Sequence, residues 1–502
     1  MEKEDIRERL IKNSFWSFIS TIISRIGALA FTIILARFLT PENYGIYTLV
    51  LSTSTVFYTI ADLGINQTLI RYLSLAMKEN KKQIPAYYKY LLKIKLTLAS
   101  TSSLLLLILS YPIAYFFFKN PALFYPLLVA SFYIFFLSLD MFHSMIFYAI
   151  EKVKYVSIRE TLDQTLRIFL AILVFYFVIF SYQVIGIFLS LALVSTLLII
   201  YSLYYIKKLI PQIFCKSEEK IDKKGVRRFV GFLTIASISA VFFSHIDSIM
   251  LGLFLNAKYV GYYGAAFSLI LGVIGIVSFP IIPLLPMFTK INKTKAGTAL
   301  NKIFSYLSII TIPAIFGLLA LGKYFIKILY GNSYLPATLP LYFLSFLIFP
   351  VVSIGIFLSL FSAEEKPQIF AKLIVIACII NVILNFVLIK LFIKISPEWA
   401  IAGAAIATLI SWFFYFMASL FALKKEFNLS LSFSSIIKPL LSSIIMFGAL
   451  YFSLNYIRNI NAIVVFVEIL FGIIIYFSIM IFIKGVRKTD LEYLRIIMRK
   501  TK

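Results

Sequence analysis

Apolar stretches of some twenty residues alternate with short polar connections along almost the whole chain, from Ser14 to Lys484. A helix of about 20 apolar residues crosses the ~30 Å hydrocarbon layer of a membrane. The pattern therefore predicts about 14 membrane-spanning helices and an all-α integral membrane protein. The predicted spans are 14–38, 44–66, 91–117, 123–150, 164–181, 183–206, 229–255, 261–289, 303–321, 335–361, 368–389, 399–421, 434–456 and 461–483.

The composition agrees with this fold class. Hydrophobic residues make up 61% of the 502 residues and charged residues 14%, whereas a soluble domain has about 25% charged residues. Cys215 and Cys378 lie in different elements at different depths, so they give no disulfide or metal framework. We expect no metal site and no cofactor.

Positive charge falls mainly on alternate connections. Most of the 48 Lys and Arg residues lie in connections on the same side as the N-terminus, including Arg71–Lys95, Lys152–Arg167 and Lys207–Arg228. Connections rich in Lys and Arg face the cytoplasm, so we expect a multi-pass protein of the cell (plasma) membrane with both termini cytoplasmic. The net charge of +26 then reflects topology and contact with anionic membrane lipids. A nucleic-acid role is disfavoured, since the sequence predicts no folded basic domain.

Two parts of the sequence repeat each other. Leu35–Leu39, followed by Gly45–Tyr47, recurs as Leu251–Leu255, followed by Gly261–Tyr263, with an offset of 216 residues. The end of span one and the start of span two therefore look duplicated in spans seven and eight. Chance recurrence in a chain rich in Phe and Tyr is the alternative.

The repeat and the long polar connection after span six predict the domain organisation. We expect an N-terminal lobe at 1–206, a basic cytoplasmic linker at 207–228, a C-terminal lobe at 229–423, appended helices at 424–484 and a basic cytoplasmic tail at 485–502. Because each lobe has an even number of spans, the lobes have the same orientation and are related by an axis along the membrane normal. Such lobes enclose a cleft and alternate its access.

Several segments resemble polysaccharide flippases of the Wzx or O-antigen transporter type. They are Phe31–Gly45, Ala61–Gly64 with Arg71, and His245–Asp247 with Val260–Tyr263. These flippases belong to the multidrug/oligosaccharidyl-lipid/polysaccharide exporter superfamily. The resemblance implies movement of an oligosaccharide, linked to an isoprenoid phosphate or pyrophosphate, from the inner to the outer leaflet. It also implies a polysaccharide polymerase or glycosyltransferases as partners, and it does not specify the glycan.

Ionisable side chains inside spans are costly and mark candidate functional residues. Arg25 in span one and Asp140 in span four have similar predicted depths, and His143 lies one turn from Asp140. Arg25 either binds the phosphate-sugar headgroup or pairs with Asp140 and only docks helices. Arg71, which forms a basic cytoplasmic rim with Lys89, Arg159 and Lys290, is the second candidate for the headgroup.

Acidic residues are the candidates for coupling or gating by a proton or sodium ion. They are Asp62, Asp140 and Asp247, with an interhelical hydrogen bond as the alternative role. His245 and Asp247 lie on roughly opposite helix faces, and we expect Asp247 to face the cleft.

Two further pairs of polar residues lie four positions apart in the sequence. Asn381 and Asn385 are four residues apart and either line the lumen or bond between helices. Asp163 and Arg167 have the same spacing and should pair with each other.

Enzyme activity is not expected. The sequence has no P-loop motif, and the outer connections are too short for a catalytic domain, so we assign no catalytic residue. Two alternatives stay open: a multidrug or cation exporter of the same superfamily, and a non-transporting scaffold for glycan enzymes. Arg25 and the basic rim favour an anionic cargo over a cationic one.

Overall fold

A computed structural model describes residues 2–217, 219–278, 293–364, 366, 368–427, 434–457 and 459–485. These residues form helices joined by short turns, without a strand in the described part. The helices are α1 Glu2–Phe38, α2 Pro41–Asp62, α3 Ile65–Glu79, α4 Ile84–Pro112, α5 Phe124–Ala149, α6 Val153–Phe177, α7 Gln183–Leu209, α8 Lys223–Phe254, α9 Ala257–Val277, α10 Lys293–Leu329, α11 Thr338–Ser345, α12 Ile348–Ala363, α13 Gln368–Phe392, α14 Pro397–Phe427, α15 Ser434–Tyr456 and α16 Ala462–Phe482. The end of the predicted span 261–289 and most of the predicted tail 485–502 lie outside the described residues.

The all-α membrane prediction is confirmed. Twelve helices of the described part are long and apolar enough to cross a membrane, and a bent pair with a 44° angle, which contains α11 and α12, makes a thirteenth. Helix α6 has the length of a span, 25 residues. It is not among the twelve because it carries several charged side chains, and with it the helices match the predicted number of about 14.

The second predicted span is interrupted. Helix α2 ends at Asp62, and Leu63 and Gly64 follow with φ angles of 43° and 81°. Gly64 adopts this left-handed conformation without a Cβ clash. The chain then continues as α3, a separate helix before α4.

The packing of the first lobe is repeated in the second. Helix α1 packs on α6 in the first lobe, and α8 packs on α13 in the second. In the same way, α6 packs on α7 and α13 packs on α14. Finally, α5 packs on α7, and α11 and α12 pack on α14. Between the lobes, α2 packs on α9, while α1 packs on α9 as α8 packs on α2. These matched pairs agree with two lobes of the same topology. The residue boundaries predicted for lobes, linker and tail stay predictions.

The last two helices stand outside the repeat. Helices α15 and α16 pack on each other and on α10. The three helices border an apolar cavity of about 350 Å³, whose lining includes Pro313, Gly317, Leu450, Gly472 and Tyr476.

The lobes meet closely where α1 ends. We call this the far side of the bundle, and the side where α1 begins the near side. Thr40 and Asn256, 216 residues apart, occupy equivalent cap positions before α2 and α9, with ψ angles of 159° and 155°. A Cβ on Gly45 would overlap the carbonyl oxygen of Ala257, and a Cβ on Gly261 would overlap that of Pro41. The two glycines therefore allow the backbones of α2 and α9 to touch.

Candidate functional site

Asp247 is the centre of a buried polar cluster in the second lobe. Its side chain, only 2% exposed, projects from α8 between α9, α13 and α14. The hydroxyl groups of Tyr263 and Thr408 donate to Oδ2 of Asp247, each at 2.6 Å. The amide nitrogen of Asn385 donates to Oδ1, also at 2.6 Å. We call these residues, together with Asn381, the Asp247 cluster.

Two oxygen atoms of the Asp247 cluster have no hydrogen-bond partner in the described part of the chain. They are the side-chain oxygens of Asn381 and Asn385, two side chains that are fully buried. An unsatisfied buried polar group costs about 1–3 kcal/mol. A small cation bound to these two oxygens would remove that cost.

The chemistry of the Asp247 cluster fits a ligand with a single positive charge. One carboxylate, two amide oxygens and hydroxyl oxygens form a set of hard ligands, which suits Na⁺ better than a soft transition metal. No group of three His, Cys, Asp or Glu side chains that could hold a metal ion occurs among the described residues. The cluster therefore suits a proton or a monovalent cation.

The cluster lies within the second lobe, so the expectation that Asp247 faces the cleft is wrong. His245, two residues earlier on α8, points instead to the first lobe, where its Nδ1 lies 3.3 Å from the hydroxyl of Ser52 on α2. Residues two apart on a helix face nearly opposite directions. Helix α8 thus contacts both lobes from opposite faces of the same turn.

The first lobe holds buried ion pairs. The guanidinium of Arg159 on α6 binds both carboxylate oxygens of Asp140 on α5, with Nε–Oδ1 at 3.1 Å, and both side chains are fully buried. Arg159 also contacts Glu160 at 2.5 Å. The suggested pairing of Arg25 with Asp140 is therefore wrong, because α6 supplies the partner.

Two further ion pairs and a histidine complete the first-lobe interior. Lys95, fully buried on α4, lies 2.8 Å from Oδ1 of Asp62. Arg167 lies 2.8 Å from Asp163, which confirms that prediction. His143 contacts the hydroxyl of Tyr88 at 3.3 Å and the carbonyl of Leu139 at 2.7 Å, and these contacts are separate from the Asp140 pair.

Sequence reasoning missed the structural importance of Lys95 and Arg159. The charge pattern assigns both to the basic cytoplasmic connections, yet both are fully buried. A signal for Lys95 was available, because it lies inside the predicted span 91–117.

Arg25 lies at the boundary between the lobes. Its aliphatic stem packs against Gly275 of α9. A Cβ added to Gly275 would lie 3.0 Å from Cγ and Cδ of Arg25. The side chain is exposed, and no acidic group of the described residues forms an ion pair with it. Arg71, the other predicted headgroup residue, is exposed on α3 with its guanidinium 4.5 Å from the ring centre of Phe229 on α8.

Two lobes related by a repeat are an architecture that many secondary transporters share. The chain belongs to the polysaccharide biosynthesis protein family, whose sequence profile matches residues 10–292. This match confirms the resemblance described from the sequence.

Two curated relatives match the chain. The chain is 26% identical over 279 residues to the probable low-salt glycan biosynthesis flippase Agl15 of Haloferax volcanii, a match that covers 54% of this chain and 57% of that relative. It is 22% identical over 438 residues to an uncharacterized membrane protein of Methanocaldococcus jannaschii, covering 84% and 85% of the two chains. The chain thus spans little more than half of the first relative.

Solved structures share the fold. An inward closed conformation of the lipid II flippase MurJ matches with a TM-score of 0.74 and 17% identity, over 94% of this chain and 99% of that one. An inward-facing multidrug transporter of the MATE family and the MOP superfamily matches with a TM-score of 0.57 and 13% identity, over 81% and 96%. The chain therefore has the fold of these solved transporters.

Proposed function

We propose that this protein flips a lipid-linked oligosaccharide, carried on an isoprenoid phosphate or pyrophosphate, across the membrane by alternating access. The family membership supports a role in polysaccharide biosynthesis. The glycan flippase named above supports the cargo class, and the two-lobed fold supports the transport mode. The near side is then the cytoplasmic side of the cell membrane, as the distribution of Lys and Arg predicts.

The position of Arg25 is the observation that carries the proposal. A phosphate headgroup needs a cation that can form charge-assisted hydrogen bonds. Lys95, Arg159 and Arg167 are already paired with carboxylates inside the first lobe. Arg25 is exposed at the lobe boundary without an acidic partner among the described residues, so its charge is available to the headgroup.

The Asp247 cluster supplies a coupling site in this proposal. A sodium ion would bind the carboxylate and the two unpartnered amide oxygens, whereas a proton would neutralise the carboxylate. Helix α8 carries Asp247, which would bind the ion in the second lobe, and also His245, which contacts Ser52 in the first lobe. Ion binding at Asp247 would therefore shift the helix that contacts the first lobe. A ligand shifts a conformational equilibrium only by binding one state better than the other, and this shared helix offers such a difference.

The apolar cavity beside α10, α15 and α16 supports a lipid-bearing cargo. Its described lining residues include no charged side chain, so the cavity suits an isoprenoid chain while the headgroup passes beside Arg25 at the boundary between the lobes.

An assay of headgroup accessibility in proteoliposomes tests the proposal. Vesicles containing the purified protein are loaded with a fluorescent isoprenyl-pyrophosphate oligosaccharide, with and without an imposed proton or sodium gradient. Protein-dependent movement of the headgroup between leaflets is expected. Efflux of a cationic dye without headgroup movement would favour the multidrug exporter, and neither activity would favour the scaffold.

A further inference from the structure

A polar pocket lies on the near side of the first lobe, away from the Asp247 cluster and Arg25. It has a volume of about 390 Å³ and is formed by the turn between α3 and α4 and by the chain that follows α7. Among the described residues of its lining, the charged groups are three lysines and one glutamate: Lys81, Lys82, Lys216 and Glu219. The pocket therefore has an excess of positive charge.

Both walls of this pocket are held in place. The hydroxyl of Ser217 donates to the carbonyl of Lys82 at 2.8 Å, and the amide of Gln83 donates to the carbonyl of Lys220 at 3.1 Å. Below these contacts, Ile84 and Ile213 are fully buried in the same apolar cluster. The two segments thus form one fixed concave surface.

The position of the pocket is the level of lipid headgroups. Pro85 in the lining belongs to the first turn of α4, and Gln212 follows the last turn of α7. These turns are where two membrane-length helices end on the near side. Basic pockets at this level bind phosphate-bearing lipid headgroups.

Lysines are suited to phosphate because they act as point charges with three donors each. Lys81, Lys82 and Lys216 form no ion pair with an acidic residue of the described chain, so their charge is available. The amide of Gln212 adds a polar group. A volume of about 390 Å³ matches the lower range of small-molecule sites.

From this geometry we infer that the pocket binds a phosphate group, provided by an anionic lipid headgroup or by free phosphate. The inference does not depend on the proposed flippase activity, because it concerns a separate surface of the near side.

Cys215 provides a direct reporter. It is exposed and lines the pocket, whereas Cys378 is buried. The rate at which an uncharged maleimide modifies Cys215 can be measured on the full chain in nanodiscs. Three conditions separate the sources of phosphate: phosphatidylcholine alone, phosphatidylcholine with phosphatidylglycerol, and phosphatidylcholine with added inorganic phosphate.

We expect phosphatidylglycerol or inorganic phosphate to slow the modification of Cys215 several-fold relative to phosphatidylcholine alone. Protection only by phosphatidylglycerol would identify a lipid headgroup, and protection by inorganic phosphate would identify a soluble ligand. Each lysine near a membrane surface contributes about a fivefold factor to anionic binding. The double variant Lys81→Gln/Lys82→Gln should therefore lose the protection.

A matched variant controls for surface charge. Lys424 and Lys425 are another adjacent, exposed lysine pair, at the near-side end of α14. Lys424→Gln/Lys425→Gln should retain full protection of Cys215, while Lys216→Gln should reduce it. Equal modification rates under all three conditions in the wild-type protein, or full protection in Lys81→Gln/Lys82→Gln, would overturn the inference.

Discussion

Gly45 and Gly261 lie against each other at the far side of the lobes, and the contact is reciprocal. A Cβ built on Gly45 would lie 3.0 Å from the backbone nitrogen of Gly261, and one built on Gly261 would lie 3.1 Å from that of Gly45. Each glycine also touches the residue four positions before the other. Because the two residues are 216 positions apart in the repeated sequence, this crossing lies on the axis that relates the lobes.

Replacing either glycine should open the far side. Gly45→Ala places a methyl group against a backbone carbonyl, and overpacking of this kind costs about 1–3 kcal/mol. We expect the lobes to separate there and transport to fall. The reporter is Ser268→Cys in a background without native cysteines, because Ser268 lies 3.4 Å from the hydroxyl of Tyr44 between α2 and α9. Its reaction with a membrane-impermeant thiol reagent should increase.

Gly231→Ala is the control for this prediction, since nothing lies within 4 Å of the added methyl group. It should leave transport and reporter labelling unchanged. Unchanged labelling of the reporter in Gly45→Ala would contradict the assignment of this crossing as the far-side closure.

Arg37 should stabilise the same closure. Its Nε donates to the carbonyl of Leu329 at 2.8 Å, and its guanidinium also contacts the carbonyl of Ile328, so that the end of α10 is held by α1. A cation at a helix C-terminus contributes about 0.3–1 kcal/mol. Arg37→Ala should therefore raise labelling of the Ser268→Cys reporter by at most about fivefold. Labelling in Arg37→Lys should be intermediate between that of the wild type and that of Arg37→Ala. Labelling equal to wild type in Arg37→Ala would exclude a role for this contact.

Asp247→Asn should remove ion dependence. The three donors around the carboxylate would face a group with one acceptor oxygen, and the negative charge that attracts a cation or proton would be lost. We expect slow cycling that no longer responds to a proton or sodium gradient, with headgroup binding retained.

Substitutions of Thr408 refine this test of the Asp247 cluster. Thr408→Ser keeps the hydroxyl that donates to Asp247 at 2.6 Å and should keep gradient dependence, whereas Thr408→Val should weaken it. Equal losses of headgroup affinity and of cycling in Asp247→Asn would count against a coupling site.

The pair of Asp140 and Arg159 should contribute to stability in a way that double substitution reveals. Removing one partner of a buried ion pair costs about 3–5 kcal/mol, while replacing both with apolar residues is often much less harmful. Asp140→Leu and Arg159→Leu should each lower the melting temperature of the purified protein, and the double variant should recover part of the loss. Additive losses in the double variant would show that the two side chains do not act as a pair.

The fold followed from the sequence because its signals are long and repeated. Apolar stretches of membrane length predicted the helices, and the repeat around Gly45 and Gly261 predicted the two lobes. The break at Leu63 and Gly64 was not predicted, because both residues also fit a continuous apolar helix.

The partners of the charged residues could only partly be predicted. Spacing along one helix correctly paired Asp163 with Arg167. Pairs between helices depend on rotation and neighbour choice, which spacing does not define. Arg25 and Asp140 have similar predicted depths, yet Asp140 binds Arg159 on the neighbouring α6. Asp247 faces its own lobe for the same reason.

The flipping rate of the Arg25→Gln variant tests most directly whether Arg25 binds the headgroup. The variant keeps a polar side chain but removes the charge, and a hydrogen bond to a charged group is worth about 1.5–3 kcal/mol. In proteoliposomes with the isoprenyl-pyrophosphate oligosaccharide, we expect flipping to fall at least about tenfold at equal protein level, with partial activity in Arg25→Lys. Wild-type flipping by Arg25→Gln would contradict the account.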